Sequence, residues 1–157
     1  MRGILGVNFL GRRLAAVLLG VTLLIPLSGC SVIVGDLAPD EVEEIPPALF
    51  AADIGVTDAF ASKGVDGFTY YLYVGVDIDD DELTDAELEA ILQIIVDEND
   101  MPFDDIHLGV DDVNGETIDL EPRVERLVPG VVVTSSYYIW ITMDGARQII
   151  DALNAGQ

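Results

Sequence analysis

The chain has 157 residues, with 29 acidic side chains against 7 basic ones and a formal charge of −22 at pH 7. The charge is divided unevenly. Residues 1–29 hold Arg2, Arg12 and Arg13 and no acid, whereas residues 30–157 hold every acid and only Lys63, Arg123, Arg126 and Arg147, a formal charge of −25. Such a body repels phosphate and anionic lipid across the roughly 8–10 Å over which salt lets charges interact, which excludes nucleic-acid binding. A hydrophobic content of 50% excludes a chain disordered throughout, and the part after residue 29 suits one domain with a tether rather than two domains.

In chain order, the basic segment Met1–Arg13 is followed by an uncharged apolar run, Leu14–Leu27, closed by small residues. This is the layout of a secretory signal. The closing residues Leu27-Ser28-Gly29-Cys30 resemble the lipobox of bacterial lipoprotein precursors. The resemblance implies removal of residues 1–29, a diacylglyceryl thioether on Cys30 and acylation of the new amino terminus. A thiol is nucleophilic enough to form the thioether, and Ser28 and Gly29 are small enough to admit the peptidase. The uncharged stretch Leu14–Gly35 is 22 residues, which at about 1.5 Å each would also cross roughly 30 Å of hydrocarbon as a retained span. Pro26, and the single Cys of the chain falling at the lipobox position, favour lipidation. Either way the basic end stays inside and the acidic body outside. Two or three acyl chains, at about 0.8 kcal/mol per buried CH₂, anchor far more firmly than one myristoyl group. Ser31 after the Cys fits outer-membrane sorting in a two-membrane host. One Lys against six Arg resembles actinobacterial usage, which implies the outer leaflet of the cell membrane and is the reading favoured here.

Residues 30–47, with Pro39, Pro46 and Pro47 among five acids, read as a tether about 20–25 Å long, and residues 48–157 as a single acidic domain. Ala48–Ser62 has no clear period and is expected to be a helical turn or a packed loop. From Gly67, alternation puts Phe68, Tyr70, Leu72, Val74, Val76 and Ile78 on one apolar side of a strand and Tyr71 and Tyr73 on the other. Thr84 with Glu87 forms a capping box for a helix over 85–98, with Leu88, Ile91, Leu92, Ile95 and Val96 inward. Ile106, Leu108 and Val110 mark a second strand, and the intervening helix makes the crossover right-handed and the two strands parallel. Asn114-Gly115 is expected to turn into a short strand over 117–120. A brief helix over 122–127 with Asp119 as its cap, a turn at Pro129-Gly130 and strands over 131–133 and 137–143 follow. Asp144 is expected to cap a last helix to about Leu153. The order β-α-β-(β)-β-α predicts an α+β two-layer sandwich, with helices on one face of a mixed sheet. Strand, capped LTDAELEAIL helix, strand and acidic turn are similar to the order in small actinobacterial lipoproteins of uncharacterised function, a likeness that implies no activity.

Three chemistries are open to the domain. Calcium takes six to eight oxygens, and the loop Asp77–Glu82 starts like an EF-hand, but its sixth position is Glu82 and its twelfth Leu88. A rim of Asp79, Asp80, Asp81, Asp111 and Asp112 remains a candidate cation site, against a solvated acidic loop. An aromatic binding surface is the second, formed by Tyr71, Tyr73, Tyr138 and Trp140 on the side of the sheet away from the core, unless Ala48–Phe60 covers it. Catalysis is third. The one histidine, His107, reads as a surface or hydrogen-bonded residue, and no hydrolase, zinc-protease or nucleotide-binding motif occurs.

The sequence therefore predicts a non-enzymatic, membrane-anchored, extracytoplasmic lipoprotein with no cofactor beyond its lipid. Its domain is expected to bind a protein or glycan partner through the sheet face, or to serve a structural role at the envelope. Calcium binding at the acidic rim is the alternative.

Overall fold

The computed structural model describes residues 42–99, 103–132 and 138–156; the lipobox Leu27–Cys30, the start of the tether, Met101-Pro102, Val133 and Tyr137 lie outside them. Residues Ala38–Gln157 form one compact unit.

The first described element is a helix that starts at the end of the expected tether and runs into the segment expected to be a helical turn or packed loop. In α1 (Ile45–Ala51) the two prolines occupy the first helical positions, where a missing N–H breaks no intrahelical bond and a fixed φ suits the helix. Ile45 and Leu49, one turn apart, are fully buried. The chain then reverses through Asp53 and Gly55, both at positive φ, into an unforeseen strand, β1 (Val56–Asp66). A two-residue turn joins β1 to β2 (Thr69–Ile78). Its first residue, Gly67, has φ 64°, a conformation that favours glycine in such hairpins. Phe68, expected at the start of the apolar side, is instead in this turn and 101% exposed.

The next crossover follows the sequence pattern closely. Helix α2 (Asp85–Glu98) begins with a complete capping box: Glu87 N–H donates to Thr84 Oγ1 at 3.2 Å and Thr84 N–H to Glu87 Oε2 at 2.6 Å. Leu88, Ile91, Leu92 and Ile95 are buried and Val96 half-buried. The following strand β3 (Asp105–Asp111) pairs in parallel with β2. Beyond it, the expected strand over 117–120 shrinks to one bridge, Asp111 with Thr117. Here Asp112 draws the backbone into a tight turn by accepting from the N–H groups of Asn114 and Glu116. Helix α3 (Glu121–Leu127) has Leu120 at its cap, with Asp119 accepting from Glu121 N–H at 3.2 Å. Arg123 of α3 pairs with Asp85 at 2.5 Å and donates to the Leu83 carbonyl, tying α3 to the start of α2. Val131 and Val132 are not in a strand. Strand β4 (Ile139–Thr142) pairs antiparallel with β3. Thr142 rather than Asp144 caps α4 (Met143–Ala155), accepting from Gly145 N–H at 2.9 Å, while Asp144 lies in the first turn.

The strand order is β1-β2-β3-β4, a mixed open sheet, so the chain is an α+β protein. One sheet face carries Leu72, Val74, Val76, Ile106, Leu108, Val110, Ile139 and Ile141. These join Ile45 and Leu49 of α1, the α2 stripe, Val124 of α3, and Ala146, Ile149 and Leu153 of α4 in one cluster. Each such side chain is worth about 1.5–3 kcal/mol relative to exposure, so this layer carries the stability of the domain. The other face follows from the register in four rows. They are Gly64-Tyr71-Asp105-Thr142, Ser62-Tyr73-His107-Trp140, Phe60-Gly75-Gly109 and Asp58-Asp77-Asp111. Residues 48–60 do not cover this face: α1 packs into the core cluster and β1 is part of the sheet.

Candidate functional site

The second row brings aromatic side chains of three strands together on the open face, with His107 of the central β3 at the hub. Tyr71 stacks on one side of the imidazole at 4.6 Å between ring centroids and 5° between planes. Tyr138 stacks at 5.2 Å and 9°. Tyr73, the β2 neighbour in register, meets the imidazole edge-on at 4.8 Å, and Trp140, the β4 neighbour, is tilted against it at 4.6 Å. Tyr73 is also edge-on to Tyr71 and Tyr138, at 5.5 and 5.4 Å. These are the distances and angles at which ring faces and edges attract. All four aromatic residues expected on this face are therefore in a single cluster. The histidine expected to be exposed or hydrogen-bonded is its centre, 5% exposed.

Two glycines of the β1–β2 hairpin make room for the rings. A Cβ on Gly64 would lie 2.0 Å from the Tyr71 ring, and one on Gly75 would lie 2.0 Å from the ring of Phe60. Each aromatic lies across the glycine it faces in the hairpin register, which leaves Tyr71 over β1 while its other side packs on His107.

The polar atoms of the cluster are unevenly served. Both ring nitrogens of His107 and Nε1 of Trp140 are buried without a hydrogen-bond partner. Leaving such an atom unpaired costs about 1–3 kcal/mol, so an orphan of this kind calls for a reason. Burial disfavours the charged imidazole and lowers the His107 pKa from its ordinary value, with the Asp105 carboxylate pulling weakly the other way. A neutral imidazole carries one N–H donor and one nitrogen acceptor, and here neither is satisfied. Tyr73 is pushed up to about 12, chiefly by hydrogen bonding with the Tyr138 phenol, then by burial and the neighbouring phenols. The Tyr73 hydroxyl thus stays protonated at neutral pH, as both donor and acceptor.

A cavity of about 510 Å³ opens on this cluster, lined by Tyr71, Tyr73, Asp105, His107, Tyr138 and Trp140 with Val65 and Thr69 at its edge. A second, of about 190 Å³, lies beyond Tyr73 and Tyr138, with Gly75 and Gly109 among its lining and Phe60 and Asp111 beside them. The arrangement offers aromatic rings, phenol hydroxyls and an unsatisfied imidazole.

The acidic rim has a different construction. The two loops do meet, since Val113 N–H donates to the Asp80 carbonyl at 3.1 Å. Their carboxylates are largely engaged locally. Asp80 accepts from Asp81 N–H at 2.7 Å, and Asp112 accepts at 2.8 Å from both Asn114 N–H and Glu116 N–H. Those bonds hold the Asp80 and Asp112 carboxyls below the usual range, and the Asp80 carboxylate raises that of Asp81. The Asp79 carboxylate lies against Gly55, where a Cβ would come within 2.5 Å of its oxygen. Among the described residues, no three His, Cys, Asp or Glu side chains are grouped as a metal site. Asp111 instead faces Asp77 across the last row, where burial and then the charges of Asp111 and Asp58 raise the Asp77 pKa. No helix among the described residues is long and apolar enough to cross a membrane.

Compared with known proteins, the chain matches no family model, no curated sequence and no solved structure.

Proposed function

We propose that the chain is a lipoprotein held at the extracytoplasmic face of the cell membrane through Cys30, and that its domain is a binding module whose ligand or partner docks on the open sheet face. The observation carrying this reading is the aromatic cluster around an unpartnered His107 on the face opposite the described helices. Tyr71, Tyr73, Tyr138 and Trp140 are residue types that concentrate binding energy in interfaces. The basic segment, apolar run and LSGC sequence support the anchor. No catalytic role is assigned, since the stacked, unpartnered imidazole of His107 has no nucleophile within hydrogen-bond reach among the described residues.

Two measurements test the two halves separately. Membrane fractionation with palmitate labelling should show label and pelleting in wild type and neither in Cys30→Ala; label independent of Cys30 removes the anchor. Hydroxyl-radical footprinting of the anchored protein on cells, beside the purified chain, should show Tyr71, Tyr73, Tyr138 and Trp140 protected on cells, with Phe68 equally labelled in both. Equal labelling of the four aromatics in both samples removes the binding face.

A further inference from the structure

The type of ligand follows from what the cavity lacks as well as from what it has. Its walls are the aromatic side chains of Tyr71, Tyr73, Tyr138 and Trp140, which suit an apolar surface against them. Its unmet polar atoms are the two His107 nitrogens, one donor and one acceptor when neutral, and the Trp140 Nε1–H donor. The ligand must therefore both accept and donate within one small body. The charge of −25 beyond residue 29 repels anions. A quaternary ammonium would stack on the rings but can neither donate to nor accept from an imidazole, and a primary ammonium can only donate. Hydroxyl groups do both. A neutral pyranose presents an apolar C–H face, whose slightly positive hydrogens meet the negative face of an aromatic ring, and a rim of hydroxyls.

We infer that the aromatic cavity of the open sheet face is a binding site for a neutral sugar unit, stacked on the tyrosine and tryptophan rings, with its hydroxyls bonded to His107 and Trp140. This rests on the sheet face being the binding surface and adds the class of its ligand. The His107 nitrogens are covered by the rings beside them, so a sugar engages them as a flanking tyrosine turns about χ1. Asp105 and Thr69, which also line the cavity, add an acceptor and a hydroxyl for the outer rim of the sugar. A ligand bonded to the His107 nitrogens relieves the cost of burying them without partners.

The chain supplies its own probes, because it has one Trp and one His and both are in the cavity. Full-length protein, in a polyoxyethylene detergent that carries neither sugar nor ammonium, is titrated with the methyl glycosides of glucose, galactose, mannose and N-acetylglucosamine, and in parallel with choline. Trp140 emission should change saturably with at least one glycoside and not with choline, and the ¹⁵N resonances of the His107 imidazole should move with it. His107→Phe keeps the stack and removes both nitrogens. It should bind the same glycoside at least about tenfold more weakly, ~1.4 kcal/mol, with an unchanged or higher Tm. If that variant does not fold, the wild-type imidazole resonances decide alone. Silence of both probes with every glycoside, a response to choline alone, or glycoside binding undiminished in His107→Phe overturns the inference. Silent glycosides with the face still protected on cells would remove the sugar and leave the binding surface in place.

Discussion

Enclosing the single imidazole among four aromatic rings places the cost of protonating it on the folded state alone. The His107 pKa is lowered by burial from its ordinary 6.5, so between the folded and unfolded values the unfolded chain holds a proton that the folded chain does not. Stability then rises with pH in that window, is fully regained above about pH 6.5, and is lost as pH falls below it, with a slope of at most about 1.4 kcal/mol per pH unit. Thermal unfolding between pH 5 and 7.5 should show this slope in wild type and a flatter profile in His107→Phe; identical profiles would mean the imidazole titrates normally. Asp77 has the opposite sign. Its raised pKa, from burial and from Asp111 and Asp58, means the folded state prefers the acid form. Asp77→Asn should therefore raise Tm at pH 7 and make little difference at pH 3, below the raised pKa, where Asp77 itself is protonated. The parity of Tyr71, Tyr73, Tyr138 and Trp140 is legible in the sequence because it is local to each strand. That His107 lies between Tyr73 and Trp140 depends on the register across β2, β3 and β4, which no local pattern encodes.

Elements whose period matches their burial are the ones a sequence discloses. In β2, α2, β3 and α4 the core positions are almost all Val, Ile or Leu, and their places agree with the structure to within a residue or two. Strand β1 escapes because its core-side row is Ala59, Ala61, Lys63 and Val65, small residues and a lysine. Lys63 is 6% exposed with its Nζ 5.7 Å from the Tyr70 ring centroid; a buried stem under a charged head has no hydrophobic signature. Helix α1 escapes because Pro-Pro reads as a breaker everywhere except at a helix start. Its contribution is measurable. Ile45 is fully buried in the core cluster, so Ile45→Ala should cost about 2–5 kcal/mol, which a flexible tether residue would not. Thr84→Ala, which opens the capping box of α2, should cost only about 1 kcal/mol. Urea unfolding of the two variants should rank them in that order, and the reverse order would detach α1 from the folded unit.

The whole molecule is shaped by its charge. A formal −25 over residues 30–157 leaves few counter-charges. Arg123 pairs with Asp85 and Arg147 with Asp144, and exposed pairs contribute about 0–1 kcal/mol each. Net repulsion therefore opposes the compact state at low ionic strength, and added salt should relieve it as the screening length falls from about 30 Å at 0.01 M to about 8 Å at 0.15 M. Tm should climb over that range by the same amount in NaCl and KCl, since screening does not distinguish the two ions. Divalent ions separate general screening from a specific site. If the rim of Asp79, Asp80, Asp81, Asp111 and Asp112 only joins in the general repulsion, millimolar calcium and magnesium at matched ionic strength should raise Tm equally. If the rim binds calcium, calcium should raise Tm by more, because its larger, flexible shell of six to eight oxygens suits a carboxylate cluster and magnesium gives up its waters reluctantly. Asp80 and Asp112 already accept bonds from their own loops, so occupying the rim would mean giving those up, and equal effects of the two cations are the expected result.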